Sequence, residues 1–245
     1  MHAVGLVIGI PENEIDSRLE MFLEDYRGDD CYYTYYDTGD EYETLNELLQ
    51  DHPEVRDDCS LYGTVNPYSQ CDYYTIGGRW EGYFLLKNGE RANSTTIGEI
   101  DFDKMEDDAR KLARQRYQQA LEAIGGDKNF KSFDRLLTEY SHIEQDRYSK
   151  AREAWMNQKP IKDWYKWRSK SDVNSLYFDF NIDDVLKPVA DYEDKLITYK
   201  LVPVAVIHDD YWEELPTDVK GAMKWLKHFR AMPKDTPVTM IDYHV

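Results

Sequence analysis

The apolar and polar positions of this chain change period several times, and the changes place strands at both ends and helices between them. Ala3 to Ile10 is a β-branched apolar run and predicts a buried strand near the first residue. After Pro11, residues Ile15, Leu19, Phe22, Leu23 and Tyr26 recur at helical spacing, and Gly28 is placed to end that helix. Residues 29–44 are acidic and tyrosine-rich and read as a loop or an edge ribbon. Leu45, Leu48 and Leu49 predict a short helix before His52-Pro53, and residues 56–71 lack a period and read as loop. Tyr73 to Ile76 and Tyr83 to Lys87 read as strands on either side of Gly77-Gly78. Asn88-Gly89 marks a tight hairpin, and Ile97 to Phe102 reads as a third short β piece.

From Lys104 the period becomes helical. Leu112, Ala113, Tyr117, Ala120, Leu121 and Ile124 fall on one face, and Gly125-Gly126 stops the helix. A second helical pattern covers about 130–156, and Pro160 opens a third piece with Trp164 and Trp167. Residues 175–180 read as a return to β, 181–195 as a short helix and loop, and Leu196 to Ile207 as a long strand whose Pro203 demotes part of it to an edge. His208-Asp209-Asp210 reads as a turn. Thr217 is placed to cap a helix bearing Val219, Met223, Trp225, Leu226 and Phe229. Val238 to Val245 alternates and predicts a closing strand. The expected fold is α+β: one domain over 1–245, with a mainly antiparallel sheet containing both terminal strands. A helical block at about 104–170 is a subdomain or insertion within it.

Charge adds a second layer. The chain carries a net −18, unevenly placed. Residues 1–70 hold 17 acidic and 3 basic side chains, whereas residues 110–170 hold 8 acidic and 15 basic. The acidic third argues against direct nucleic-acid binding there. It reads as a solvated surface or as a DNA mimic using carboxylates such as Asp29, Asp30, Asp37 and Asp40. Cys31, Cys59 and Cys71 have no paired spacing and read as free thiols in a reducing cytoplasm. The N-terminal apolar run is too short to span a membrane and lacks the basic start of a signal peptide.

The chemistry concentrates in Asp72-Tyr73-Tyr74-Thr75-Ile76-Gly77-Gly78-Arg79-Trp80-Glu81-Gly82. Arg79 offers a bidentate fork for phosphate or carboxylate, Trp80 a stacking face, and Gly77 and Gly78 backbone amides for an anion. These four residues are the expected ligand-binding set for a small anionic, nucleotide-like ligand. The competing reading is a buried tryptophan and a salt-bridged arginine holding a strand turn. His2, Asp242 and His244 lie on terminal strands that can pair, and Asp242 and His244 share a face. A carboxylate beside histidines suits general acid–base chemistry or plain hydrogen bonding. The two-histidine phosphoesterase pattern wants a hydroxyl two residues after each histidine, which Val4 and the chain end do not provide. Glu99, Asp101, Asp103, Asp107 and Asp108 match no calcium-loop spacing and read as helix N-terminal acids, so no metal or cofactor is expected. Trp155, Trp164 and Trp167 among Lys159, Lys162, Lys166, Arg168 and Lys170 fit a nucleic-acid contact, a docking face for the acidic third, or a homo-oligomer surface. No phosphate loop, serine elbow, zinc or dinucleotide motif is present.

The central stretch resembles the Trp-Tyr-x-Ile-Gly-Gly-Arg-Trp-x-Gly signature of a family of uncharacterised bacteriophage and prophage proteins. His2 before an apolar strand, Ile100-Asp101-Phe102, Pro203 to Val206 leading to Trp212, and Asp242-Tyr243-His244-Val245 agree in order. Ala3-Val4 departs from the aromatic and hydroxyl residues such proteins carry there. The resemblance implies a phage-encoded accessory protein of the host cytoplasm, in a counter-defence setting and without a membrane. The resemblance brings no established activity, and the residues leave three functions: sequestering a small nucleotide-derived ligand, cleaving it as a phosphodiesterase-type enzyme, or inhibiting a host defence protein by mimicking DNA. The ligand readings require His2, His244 and Arg79 to open onto one cavity.

Overall fold

The computed structural model describes residues 1–28, 31–56, 59–143, 145–169, 180–209 and 211–245. They form two compact units: Met1–Asp101 with Pro203–Thr217 and Phe229–Val245, and Phe102–Val202 with Asp218–His228.

The strands of the first unit are, in order, β1 (His2–Ile8), β2 (Tyr32–Tyr35), β3 (Glu41–Tyr42), β4 (Tyr62–Val65), β5 (Tyr73–Ile76), β6 (Phe84–Leu85), β7 (Arg91–Ala92), β8 (Ser94–Thr96), β9 (Ala205–His208), β10 (Tyr211–Glu214) and β11 (Pro237–His244). The main sheet runs β10-β9-β1-β11-β5, with β8 also on β11. Only β1 with β9 is parallel; the other pairings are antiparallel. Both terminal strands therefore sit side by side at the sheet centre, in an α+β fold. Their register sets His2 opposite His244, Val4 opposite Asp242 and Leu6 opposite Met240.

That register follows from burial on both faces. Val7, Ile207, Ile241 and Tyr243 pack with Ile15 and Leu19 of α1 (Ile15–Leu19) and with Phe22. Each such side chain taken from water contributes about 1.5–3 kcal/mol, and a one-residue slip would turn the whole set outward. On the other face Val4, Leu6 and Met240 are buried, and the same alternation brings His2, Asp242 and His244 to the strand ends.

Several expected boundaries move. The first helix stops at Leu19 and tightens into a 3₁₀ turn, because Leu23 leaves it to bridge Cys71. Residues 62–65, read as loop, pair with β2. With β3 they make a tyrosine-rich three-stranded sheet over α2 (Leu45–Asp51), where Tyr35, Leu48 and Val55 are buried. Ile97 to Phe102 is not a strand. The amides of Ile97 and Gly98 bond to the carbonyls of Thr236 and Lys234, and the true strand is β8 just before.

The helices of the second unit include α3 (Phe102–Ala123), α4 (Phe133–Glu139), α5 (Arg147–Met156), α6 (Lys159–Arg168) and α7 (Val189–Leu201). Ala113, Tyr117, Ala120, Ile161, Trp164, Ile182, Val185, Tyr192 and Leu196 form their common core. The expected 130–156 helix is two helices. The expected strand from Leu196 is helical as far as Leu201, since Tyr192, Leu196, Ile197 and Leu201 bury one helical stripe. Val202, the residue before Pro203, is extended, so only Ala205–His208 remains strand. Asp218, not Thr217, accepts from the Gly221 amide at the start of α8 (Val219–Arg230). Of the expected 175–180 strand, only Phe180 lies within the described residues, as do all the cited lysines except Lys170.

Candidate functional site

Three neighbouring strands present one face at their ends. The pairings His2–His244–Tyr73 and Val4–Asp242–Thr75 place His2, Asp242, His244, Tyr73 and Thr75 together. His2 Nδ1 lies 2.8 Å from Asp242 Oδ1, and His244 Nδ1 lies 2.7 Å from Asp72 Oδ2. A carboxylate only accepts, so each Nδ1 carries a hydrogen and each Nε2 points away from its carboxylate. The two imidazoles are 5.0 Å apart, edge to face. Tyr73 stacks on His244 at 5.4 Å, and its hydroxyl lies 3.5 Å from His2 Nε2. His244 Nε2 meets the amino nitrogen of Met1 at 3.1 Å. Asp242 is buried, while the two imidazoles stay partly exposed at 20% and 32%.

The glycine turn joins the same cluster. Gly77 and Gly78 both have positive φ, 76° and 52°, and lead into a 3₁₀ turn over Gly78–Trp80. This turn brings the Arg79 amide to donate to Asp242 Oδ2 at 3.0 Å. A Cβ at Gly78 would sit 2.5 Å from the Asp242 Cβ, so only glycine permits the approach. Asn93 supports the turn by accepting from the Gly82 amide at 2.6 Å. The Gly77 amide donates to Met240 and the Trp80 amide to Gly77, so the fold itself uses these donors. What faces outward is side chain: an exposed Arg79 and a half-buried Trp80. Among the described residues the Arg79 guanidinium has no ion pair or hydrogen bond.

Of the seven residues that sequence reasoning named, His2, Gly78 and the Arg79 amide meet Asp242, His244 joins through the His2 ring, and Gly77 and Trp80 belong to the same turn. That reasoning missed Asp72, Tyr73 and Asn93. The signal for the first two was their place at the head of β5, which the β11 register sets beside His244. The common cavity expected of His2, His244 and Arg79 is not one of the two cavities described, which lie elsewhere. One of about 570 Å³ is lined by His208 and β10, and one of about 340 Å³ by Asp184, Lys187, Asp191, Tyr192, Asp194, Lys195 and Val219.

Cys71 adjoins Asp72 but is no nucleophile. Burial, helped by the Asp72 charge, pushes its thiol up to about 11, far from the thiolate form at neutral pH. Asp29 and Asp30 lie outside the described residues; Asp37 and Asp40 are exposed. No helix among the described residues is long and apolar enough to cross a membrane.

The second dyad has a pH signature. The hydrogen bond from His244 holds the Asp72 carboxyl below its ordinary value. A carboxylate with a lowered folded pKa contributes stability that is complete above the unfolded value near 4 and lost as pH falls through the folded one. Thermal denaturation between about pH 5 and pH 2 should show a smaller acid-induced loss in Asp72→Asn than in wild type. Identical pH curves would remove the dyad from the account.

Compared with protein-family models, curated proteins and solved structures, the chain matches none.

Proposed function

We propose that the chain captures a small anionic, nucleotide-derived ligand across the Arg79–Trp80 turn and the adjoining histidine pair. The setting is the host cytoplasm and phage counter-defence, as the Gly-Gly-Arg-Trp signature implies. One observation carries the reading: both oxygens of buried Asp242 are engaged, one by His2 and the other by the Arg79 amide. A single carboxylate thus fixes the arginine turn against the imidazoles. The span is right for a nucleotide. Asp242 and His244 are two residues apart on a strand, roughly 7 Å, and the Arg79 side chain extends the surface beyond Asp242. Trp80 supplies the base platform, Arg79 the phosphate fork and the imidazoles a second polar contact.

Calorimetry against mononucleotides, dinucleotides and cyclic dinucleotides tests it. A charge-assisted arginine–phosphate bond is worth about 1.5–3 kcal/mol, so Arg79→Ala should weaken binding by about 10- to 150-fold. The melting temperature should stay unchanged, because that side chain is exposed and unpaired among the described residues. A panel without a binder, or binding unaltered in Arg79→Ala, sinks the proposal.

A second reading is phosphodiester cleavage, favoured by the two Nδ1-anchored imidazoles. One Nε2 would take a proton from the attacking hydroxyl and the other would return one to the leaving oxygen. A hydroxyl of the kind that sequence spacing lacks would come from a neighbouring strand, as Tyr73, 3.5 Å from His2 Nε2. Product formation surviving His2→Ala and His244→Ala would exclude it.

A further inference from the structure

We propose that the exposed face shared by α5 and α6 binds single-stranded nucleic acid, at a surface separate from the histidine site. Four rings run across the helical unit in continuous contact. Tyr148 meets Phe133 at 5.2 Å, Phe133 meets Trp155 at 6.1 Å, and Trp155 meets Tyr165 at 6.2 Å. Two of them are exposed, Tyr148 at 60% and Tyr165 at 39%. Trp155 is half-buried and held by its indole N–H, which donates to Asp183 Oδ1 at 2.9 Å. Trp164 is not part of this surface. It is buried in the helical core, stacked on Trp167.

Cations without partners frame the rings. Arg152 falls between Tyr148 and Trp155 on one stripe of α5, at four and seven residues from Tyr148. Lys162 and Lys166 flank Tyr165 on the exposed side of α6. None of these three has an ion pair or side-chain hydrogen bond among the described residues. Neighbouring cations do: Lys159 pairs with Asp163, and Lys131 and Arg135 pair with Glu139. Glu153, the acid of α5 nearest the stripe, points about 100° away from Arg152 around the helix.

Exposed rings spaced between unpaired cations suit a chain of unstacked bases joined by phosphates. A duplex would keep its bases away from the rings. The overall charge does not forbid contact. Acids outnumber bases 17 to 3 in residues 1–70, whereas bases outnumber acids 15 to 8 in residues 110–170. At physiological salt, charges act over about 8 Å, so the local surplus governs.

Fluorescence anisotropy of the full chain with labelled dT and rU 20-mers at low salt tests this. Three phosphate contacts to a single strand predict an affinity falling about 20-fold between 50 and 200 mM salt. Arg152→Gln/Lys162→Gln/Lys166→Gln should weaken binding at least tenfold and flatten that salt dependence. Tyr165→Ala alone should weaken it about fivefold or more, and Arg79→Ala should leave it unchanged. No binding at 50 mM salt, or binding indifferent to the triple variant, overturns the proposal. Loss of oligonucleotide binding in Arg79→Ala overturns it too, by placing the strand at the other site. Sedimentation guards against the remaining occupant. Concentration-dependent self-association abolished by the triple variant, without oligonucleotide binding, would make this face a contact with the acidic part of a second copy.

Discussion

Asp242→Asn will leave the protein folded but reverse the tautomer of His2 and abolish ligand binding. The amide of Arg79 is a fixed donor, so the asparagine must turn its oxygen toward it and keep that bond. Its NH₂ then faces His2 Nδ1, where the carboxylate oxygen was 2.8 Å away. Backbone N–H cannot invert, but an imidazole can. His2 therefore accepts at Nδ1 and moves its hydrogen to Nε2, changing the group presented to a ligand. Asp242→Ala is harsher. It strips two donors of their acceptor at a position only 5% exposed. Each unsatisfied buried group costs about 1–3 kcal/mol, so the loss should be about 2–4 kcal/mol after His2 recovers some hydration. Thermal denaturation separates the two variants, and nitrogen chemical shifts of His2 report the tautomer. An unchanged His2 spectrum in Asp242→Asn would contradict the assignment of its hydrogen to Nδ1.

Gly78→Ala should be strongly damaging. Its φ of 52° costs an ordinary residue about 1–2 kcal/mol. The added Cβ would lie 2.5 Å from Asp242 Cβ and 2.6 Å from its Oδ2, atoms held in place by His2 and the Arg79 amide. Relief requires moving the turn and breaking the Arg79–Asp242 bond. A total loss of about 3–5 kcal/mol is expected, with ligand binding lost even where the protein stays folded. Gly9→Ala is the matched control. Gly9 has a φ of 82° but nothing within 4 Å of its added Cβ, so only the backbone term applies. Equal melting temperatures for the two variants would show that the contact with Asp242 does not matter.

The sequence made some of this legible for physical reasons. β1 and β11 were readable because β-branched runs buried on both faces leave a strong apolar signal. Strict alternation was enough to put Asp242 and His244 on one face. The link between Asp242 and Arg79 was not readable. It spans 163 positions and depends on a carboxylate meeting a backbone amide, which no side-chain pattern encodes. Asp72 and Tyr73 were missed for a related reason. Their roles come from the register of β5 on β11, and an isolated Asp-Tyr carries no sign of that. The stretch Leu196–Leu201 misled because Leu-Ile-Thr-Tyr favours strands by composition. Its helical period emerges only when Tyr192 is included. Likewise Gly63 interrupts the apolar run of β4, hiding a strand that needs Tyr32–Tyr35 as its partner.

The histidine pair and the arginine–tryptophan turn are claimed to be one site, and that claim is the one to test. Nitrogen–proton correlation spectra should be followed while a nucleotide from the calorimetric panel is titrated into the protein. The Trp80 indole, His2 and His244 signals should all shift along a single saturation curve, and none should shift in Gly78→Ala. Shifts at Trp80 without any at His2 and His244, or two curves of different midpoint, would contradict the account.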